Sequence, residues 1–347
     1  MAANTSMKAV VWTAYGPPEV LQLREVPKPV PAAQEVLIRI HAATVIAGDC
    51  EMRSLRIPVE FRLPMRLYAG WRRPQRVTIL GQEMAGEIEA VGAGVTRFRV
   101  GDVVFGTTGM KLGAYAEYIC LPENAVLTRM PANLTFAEAA GVPVGSIEAL
   151  HFVRQAHIQR DRRVLINGAG GSIGTIAVQL AKNLGAKITA VDSGEKLAML
   201  RALGADDVID YTREDFTRRG ERYHVILDIV GKSHYDRTLD ALYDGGSYVN
   251  ANPSLLQRVR APFTTRAGSK RVVSGSSRTN AEELGLLEEI RAMIEAGAIK
   301  PVVDRAFPLG AAADAHRYVD SGRKQGNVVI VVAGAADASH DQQQSVP

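Results

Sequence analysis

The sequence predicts an α/β protein in two parts, a small and mostly antiparallel β domain followed by a doubly wound parallel-sheet domain. Three observations carry this prediction. The chain has 347 residues, more than one compact core usually uses. Near residue 135 its hydrophobic pattern changes from short runs at strand period to long helical stretches alternating with short, wholly apolar strands. The stretch RRVLINGAGGSIGTIAVQLAKNLGAKITAVDS, residues 162–193, reads as strand, glycine turn, helix and second strand.

In the first part, KAVVWTAYG, EVLIRIHAA, AGEIEAVG, DVVFGTT and AYAEYICLP alternate at strand period between Gly and Pro breaks, which predicts antiparallel strands over residues 7–130. The segment ILGQEMAGEIEAVG, residues 79–92, reads as a turn with two strands. In the second part, VLING, KITAVD, DVIDY, HVILDIV, GSYVNA and RVVSGS alternate with helical stretches, the pattern of a parallel sheet covered on both faces. Beyond about residue 302, AFPL, the helix AAADAHRYVDSG and the strand NVVIVV are expected to return and complete the first domain. The domains expected are therefore 7–133 completed by 303–334, and 134–302. The polar stretch 335–347 is expected to be disordered. No internal repeat is visible.

Composition narrows the function. Hydrophobic residues make up 46% and charged residues 22%, ordinary for a soluble globular protein. A net charge of +4, from 41 basic and 37 acidic residues, is too small and too dispersed to suggest nucleic acid as a partner. No apolar run is long enough to span a bilayer, so no membrane partner is expected. Cys50 and Cys120 are the only cysteines, which argues against a disulfide framework and excludes a four-cysteine zinc site. With no signal-peptide pattern in MAANTSMKAVVWTAYG, a cytoplasmic location is expected.

The glycine turn carries the chemistry. Gly170 and Gly171 let the backbone approach a pyrophosphate, and Gly174 lets the helix pack closely on the strand. The helix that begins at Ser172 and Ile173 offers free N–H groups and the positive end of its dipole to the anion. Asp192 ends the second strand, where an acidic side chain grips both ribose hydroxyls of NAD and repels a 2′-phosphate. Taken alone, that residue favours NADH.

With these motifs in order, the chain resembles the medium-chain dehydrogenases and reductases, and more narrowly their zinc-independent, quinone-oxidoreductase-like branch. The resemblance covers nearly all of residues 7–333. It rests on GQEMAGEIEAVGAGVTRFRVGDVVFG, GAYAEYICLPEN, AAGVPVGSIEALHFV, NGAGGSIGTIAVQLAK with LGADDVIDY, and GRKQGNVVIVV. It implies a GroES-like β domain, a Rossmann dinucleotide-binding domain, a cleft between them where nicotinamide meets substrate, and commonly a homodimer.

Zinc-dependent members of the family place a cysteine where this chain has Ile46 and a histidine where it has Gln82. Their proton-relay hydroxyl falls on Gly48, while the supporting carboxylates Asp49 and Glu83 remain. Neither Ile nor Gln binds zinc well and the four-cysteine loop is missing, so no metal is expected. Cys50, a substitute ligand in principle, lacks histidine partners and reads more readily as structural. Many zinc-independent members carry asparagine at the Ile46 position; the change to isoleucine reads either as drift or as an apolar wall for a less polar substrate.

Other candidate residues on the substrate side are Asp49, with a structural hydrogen bond or ion pair as its main role, and Tyr68. Tyr68 and Trp71 lie in MRSLRIPVEFRLPMRLYAGWRRPQR, which reads either as an ordinary solvated helix and loop or as the frame of a substrate entrance. His41, His151, His157, His224, His234 and His316 are scattered, and none is expected to pair with a Ser or Cys in a nucleophilic arrangement. No catalytic residue is therefore named.

For the cofactor the resemblance opposes Asp192. Ser193, Lys196 and Tyr211 match the positions that hold the 2′-phosphate in NADPH-dependent quinone reductases. Three positions against one imply NADPH, with NADH use also open if Asp192 turns toward solvent. The implied reaction is hydride transfer to a quinone or an α,β-unsaturated carbonyl. An enoyl reductase of a biosynthetic pathway and a non-catalytic nucleotide-binding module are the alternatives.

Overall fold

A computed structural model of the chain describes residues 5–275 and 278–332, and the expected tail over 335–347 lies outside the described residues. The chain divides into two compact units. One comprises the chain up to Val144, Glu283–Arg291 and the chain from Val302 on; the other comprises Gly145–Glu282 and Ala292–Pro301.

In the first unit β1 (Ser6–Trp12) and β2 (Leu21–Pro27) form an antiparallel pair. Strand β3 (Glu35–Val45) leads into helices α1 (Ala47–Ser54) and α2 (Val59–Ala69). Strands β4 (Glu83–Val91), β5 (Val103–Thr107), β6 (Tyr118–Pro122) and β7 (Leu127–Arg129) follow, then the short helix α3 (Phe136–Ala140). Val36, Ile38 and Ile40 of β3 enter the core with Met84 and Ile88 of β4, while Arg39 is exposed and Leu37 is buried on the opposite face. The stretch 79–92 holds one strand rather than two. Gly81 turns the chain at φ +99° beneath the Tyr115 ring, and Ile79 before it makes only an isolated bridge with Val11.

The second unit runs α4 (Pro143–Gln155), β8 (Arg163–Asn167), α5 (Ser172–Asn183), β9 (Lys187–Asp192), α6 (Leu197–Ala202), β10 (Asp207–Asp210), β11 (Tyr223–Asp228), α7 (Tyr235–Asp240), β12 (Leu242–Asn250), α8 (Leu255–Ala267) and β13 (Arg271–Ser274); helix α9 (Asn280–Glu295) follows, with its Glu283–Arg291 stretch counted in the first unit. Its six strands are all parallel, in the order β10-β9-β8-β11-β12-β13. Counted from β8, that is 3-2-1-4-5-6, the doubly wound order whose direction reverses between β8 and β11 and leaves a ligand crevice at the strands' carboxyl ends.

The chain then returns to the first unit through β14 (Val303–Pro308), α10 (Ala312–Asp320) and β15 (Asn327–Val331), with β15 antiparallel to β3. Helix α10 buries Ala312, Ala315, His316 and Val319, the i, i+3, i+4, i+7 stripe of an amphipathic helix. That spacing is what delivers a histidine into the core.

Candidate active site

In the first unit Ile46, Gly48 and Gln82 converge. A methyl placed on Gly48 would lie 3.5 Å from Gln82 Nε2 and 3.7 Å from Ile46 Cδ1. All three are half-buried over a fully buried Asp49. A zinc ion needs three or four N, S or O donors, and an isoleucine, a glycine and an amide do not supply them. Among the described residues, no group of three or more His, Cys, Asp or Glu could hold a metal. The donor set does not fit zinc.

Beneath this surface lies a polar chain that the sequence did not reveal. Asp49 Oδ1 accepts from Gln82 Nε2 at 3.4 Å, and Oδ2 accepts from the Ile46 N–H at 3.2 Å and from the Tyr115 hydroxyl at 3.0 Å. Tyr115 Oη lies 3.2 Å from His316 Nε2, and His316 Nδ1 lies 3.2 Å from Cys50 Sγ. The reading of Cys50 as a thiol without histidine partners is thus corrected: α1 and α10 bring together residues 266 apart. The pair is no nucleophile, however. Burial pushes the Cys50 thiol well above its ordinary range and holds His316 down at about 3, so both stay neutral at physiological pH.

The two carboxylates keep their protons more tightly than exposed ones. Burial raises Asp49 to about 6, against the lowering effect of its hydrogen bonds. Glu83, which accepts from the Thr44 hydroxyl and from the Val144 N–H at 2.6 Å, is raised by burial to about 7. Asp49 therefore has the hydrogen-bonding role expected of it. Tyr68 on α2 is half-buried and gives its hydroxyl to the Met110 carbonyl, so that donor is already engaged. Trp71 stands 58% exposed beyond the helix.

In the second unit the glycine turn follows β8. A Cβ on Gly174 would strike the Gly168 carbonyl and sit 2.5 Å from Ala169, so only glycine allows α5 to pack there. A Cβ on Gly170 would sit 2.5 Å from Lys196 Cδ and 2.9 Å from Asp192 Oδ2, whereas one on Gly171 would meet nothing closer than 3.9 Å. The open side of Gly171, beside the half-buried Ser172 and Ile173 that start α5, is where an anion can approach main-chain N–H groups. Ile173 also lines a narrow, mostly apolar recess with Phe152, Ala177, Leu227, Asp228 and Ile229, at the carboxyl end of β11.

Asp192 and Lys196, which pull in opposite directions in the sequence reading, are partners. Lys196 Nζ lies 2.9 Å from Asp192 Oδ1, and both side chains are 8% exposed. Asp192 also accepts from the Gly170 N–H at 2.7 Å and the Ser193 N–H at 2.9 Å. Two corrections follow. Lys196 has a charge partner without any phosphate, and Asp192 is held inward by three donors rather than free to turn toward solvent. Ser193 Oγ is buried with no hydrogen-bond partner among the described residues, and Tyr211, 60% exposed, donates its N–H to the Asp192 carbonyl at 3.1 Å. A buried hydroxyl without a partner beside a lysine and an exposed aromatic fits the adenosine end of a dinucleotide.

Residues 32–132 match the family model described as "Alcohol dehydrogenase GroES-like domain", and residues 203–330 the one described as "Zinc-binding dehydrogenase". A quinone oxidoreductase of Pseudomonas aeruginosa is 33% identical over 343 residues, covering 93% of this chain and 99% of that protein. The chloroplastic NADPH-dependent alkenal/one oxidoreductase of Arabidopsis thaliana is 31% identical over 338 residues, covering 93% of this chain and 79% of its own. Among solved structures, the quinone oxidoreductase of Escherichia coli complexed with NADPH superposes with a TM-score of 0.78 at 27% identity, covering 93% of this chain and 99% of that one.

Proposed function

Because the chain belongs to the quinone-oxidoreductase-like branch of the medium-chain dehydrogenase/reductase family, we propose that it reduces quinones or α,β-unsaturated carbonyls with NADPH and without zinc. The observation that carries the reading is the trio Ile46, Gly48 and Gln82, which leaves neither a Lewis acid nor a relay hydroxyl where alcohol oxidation would need both. A carbonyl conjugated to C=C, or a quinone, needs neither. When bound, the nicotinamide supplies a hydride. An enone that receives it at the β-carbon becomes an enolate, whose charge is delocalised and whose α-carbon takes a proton from water. A quinone becomes a hydroquinone anion and is protonated in the same way.

The protein's share is to hold and orient. Gly171, Ser172 and Ile173 would receive the pyrophosphate at the start of α5, the Gly170 N–H being given to Asp192. Ser193 Oγ and Lys196 would take the 2′-phosphate, with Tyr211 against the adenine. Lys196 can bridge Asp192 and a phosphate together, which relieves the repulsion Asp192 alone would exert. NADPH is thus preferred to NADH. Ile46 offers an apolar wall suited to a ring or alkyl chain.

The reading extends to assembly. Strand β13 is the edge of its sheet, and α8, joined to it through Thr265 and Val272, exposes Leu255, Leu256, Val259 and Phe263. An unpaired edge beside an apolar helix face fits a second copy of this chain, and hence a homodimer. Steady-state assays of both cofactors against a panel of quinones and enones, in chelator, test the enzymatic reading; activity that requires added zinc would refute it.

A further inference from the structure

Resting on that reading, we infer that Gln82 is the residue that meets the carbonyl oxygen of the acceptor, and that Tyr115 and His316 position it through Asp49. The inference comes from donors and acceptors. With Asp49 ionised, the Tyr115 hydroxyl at 3.0 Å must donate to it, so Tyr115 Oη accepts from His316 Nε2 at 3.2 Å. His316 therefore carries its proton on Nε2, and its bare Nδ1 accepts the Cys50 thiol proton at 3.2 Å. From Cys50 to Asp49 every hydrogen bond points toward the carboxylate, which accepts from Gln82 on its other side.

The chain does not serve as a route for protons to and from water. Asp49, Tyr115 and His316 are each 0% exposed and Cys50 is 3% exposed, so the far end stops inside the core. A line of buried groups that ends in a neutral thiol holds its members in place. What it holds is the Asp49 carboxylate, and through Asp49 the amide of Gln82: an acceptor-only group at 3.4 Å obliges Gln82 to turn its NH2 inward. One N–H of that NH2 faces Asp49. The other remains for a ligand at the half-exposed surface shared with Ile46 and Gly48, whose missing side chain leaves room there. A donor fixed in advance at the point where an enolate or hydroquinone oxygen gains charge lowers the barrier more than it tightens substrate binding.

The test is a double-mutant cycle on kcat and KM for an enone and a quinone with NADPH, using Gln82→Leu, Tyr115→Phe and the pair together. Gln82→Leu is expected to lower kcat roughly tenfold to a hundredfold, with KM and NADPH affinity changed less than about threefold. Tyr115→Phe should cost about three- to tenfold in kcat, and nothing further once Gln82 is leucine, because a positioning residue has no effect without the group it positions. Multiplicative losses, or wild-type kcat in Gln82→Leu, would overturn the inference. Nitrogen-15 shifts of the His316 ring in the unmutated protein decide the chain's direction even if Tyr115→Phe fails to fold: the Nε2–H form supports it, and the Nδ1–H form overturns it. Wild-type protein inactive on every acceptor would instead sink the reductase reading, while the ring measurement still judges the chain.

Discussion

The glycine turn after β8 and the polar chain around Asp49 are built in opposite ways. The turn is contiguous in sequence: a strand, three glycines, a helix and a closing aspartate fall within residues 162–193. The chain draws Cys50, Gln82, Tyr115 and His316 from four separate places in the first unit. The turn also leaves Ser193 Oγ without a hydrogen-bond partner among the described residues, whereas the chain satisfies its members among themselves as far as Gln82. A ligand site is recognised by what it leaves unsatisfied, and a positioning device by what it completes.

The largest effect expected belongs to the turn. Gly174→Val should cost about 2–3 kcal/mol of stability and abolish NADPH binding, since a Cβ there strikes the Gly168 carbonyl, whereas Gly171→Ala should cost about 0.5 kcal/mol. Urea unfolding with a cofactor titration checks both, and equal costs would contradict the packing account. Next comes Lys196→Ala. Losing the contact to Asp192 and to the 2′-phosphate should weaken NADPH roughly tenfold to a hundredfold and lower stability by about 1–3 kcal/mol, with NADH affected much less. Fluorescence titration of both cofactors would show it, and equal losses would shift the preference back to Asp192 and NADH.

A third prediction separates the buried carboxylates from ordinary ones. Glu83 holds its proton up to about pH 7, against about 4.3 when unfolded, so between these values the folded chain binds more protons than the unfolded one. Its contribution is complete below about pH 4.3 and is lost as pH rises through 7. Glu83→Gln should therefore gain on the wild type by about 1–3 kcal/mol between pH 5 and pH 8, read from denaturation midpoints; a constant difference would contradict the burial argument. The smallest effect is at the far end of the chain. Cys50→Ala leaves His316 Nδ1 without a donor and should cost about 1 kcal/mol, while Cys50→Ser should restore most of it.

What the sequence made legible follows the same division. The strand–turn–helix of 162–193 and the alternation behind the parallel sheet are local patterns, visible because neighbouring residues alone impose them. That Ile46, Gly48 and Gln82 offer no set of zinc donors was legible position by position. The pairing of Lys196 with Asp192 was not, although the two stand four residues apart: without coordinates a surface lysine and a buried one look alike, and only the turn into α6 folds this one inward. His316 was legible as a helix residue and not as a core one. Its burial depends on α10 packing against α1, a contact between segments that no spacing rule connects.

On the proposed reading, the site formed by Ile46, Gly48 and Gln82 suits conjugated carbonyl acceptors and not alcohols. The most direct measurement compares two rates for the purified protein in chelator: NADPH oxidation with an enone or quinone, and NADP⁺ reduction with small alcohols. Brisk turnover is expected in the first and none of use in the second. Brisk alcohol oxidation by metal-free protein would contradict it, and cofactor binding without turnover on any acceptor would leave a nucleotide-binding module in place of an enzyme.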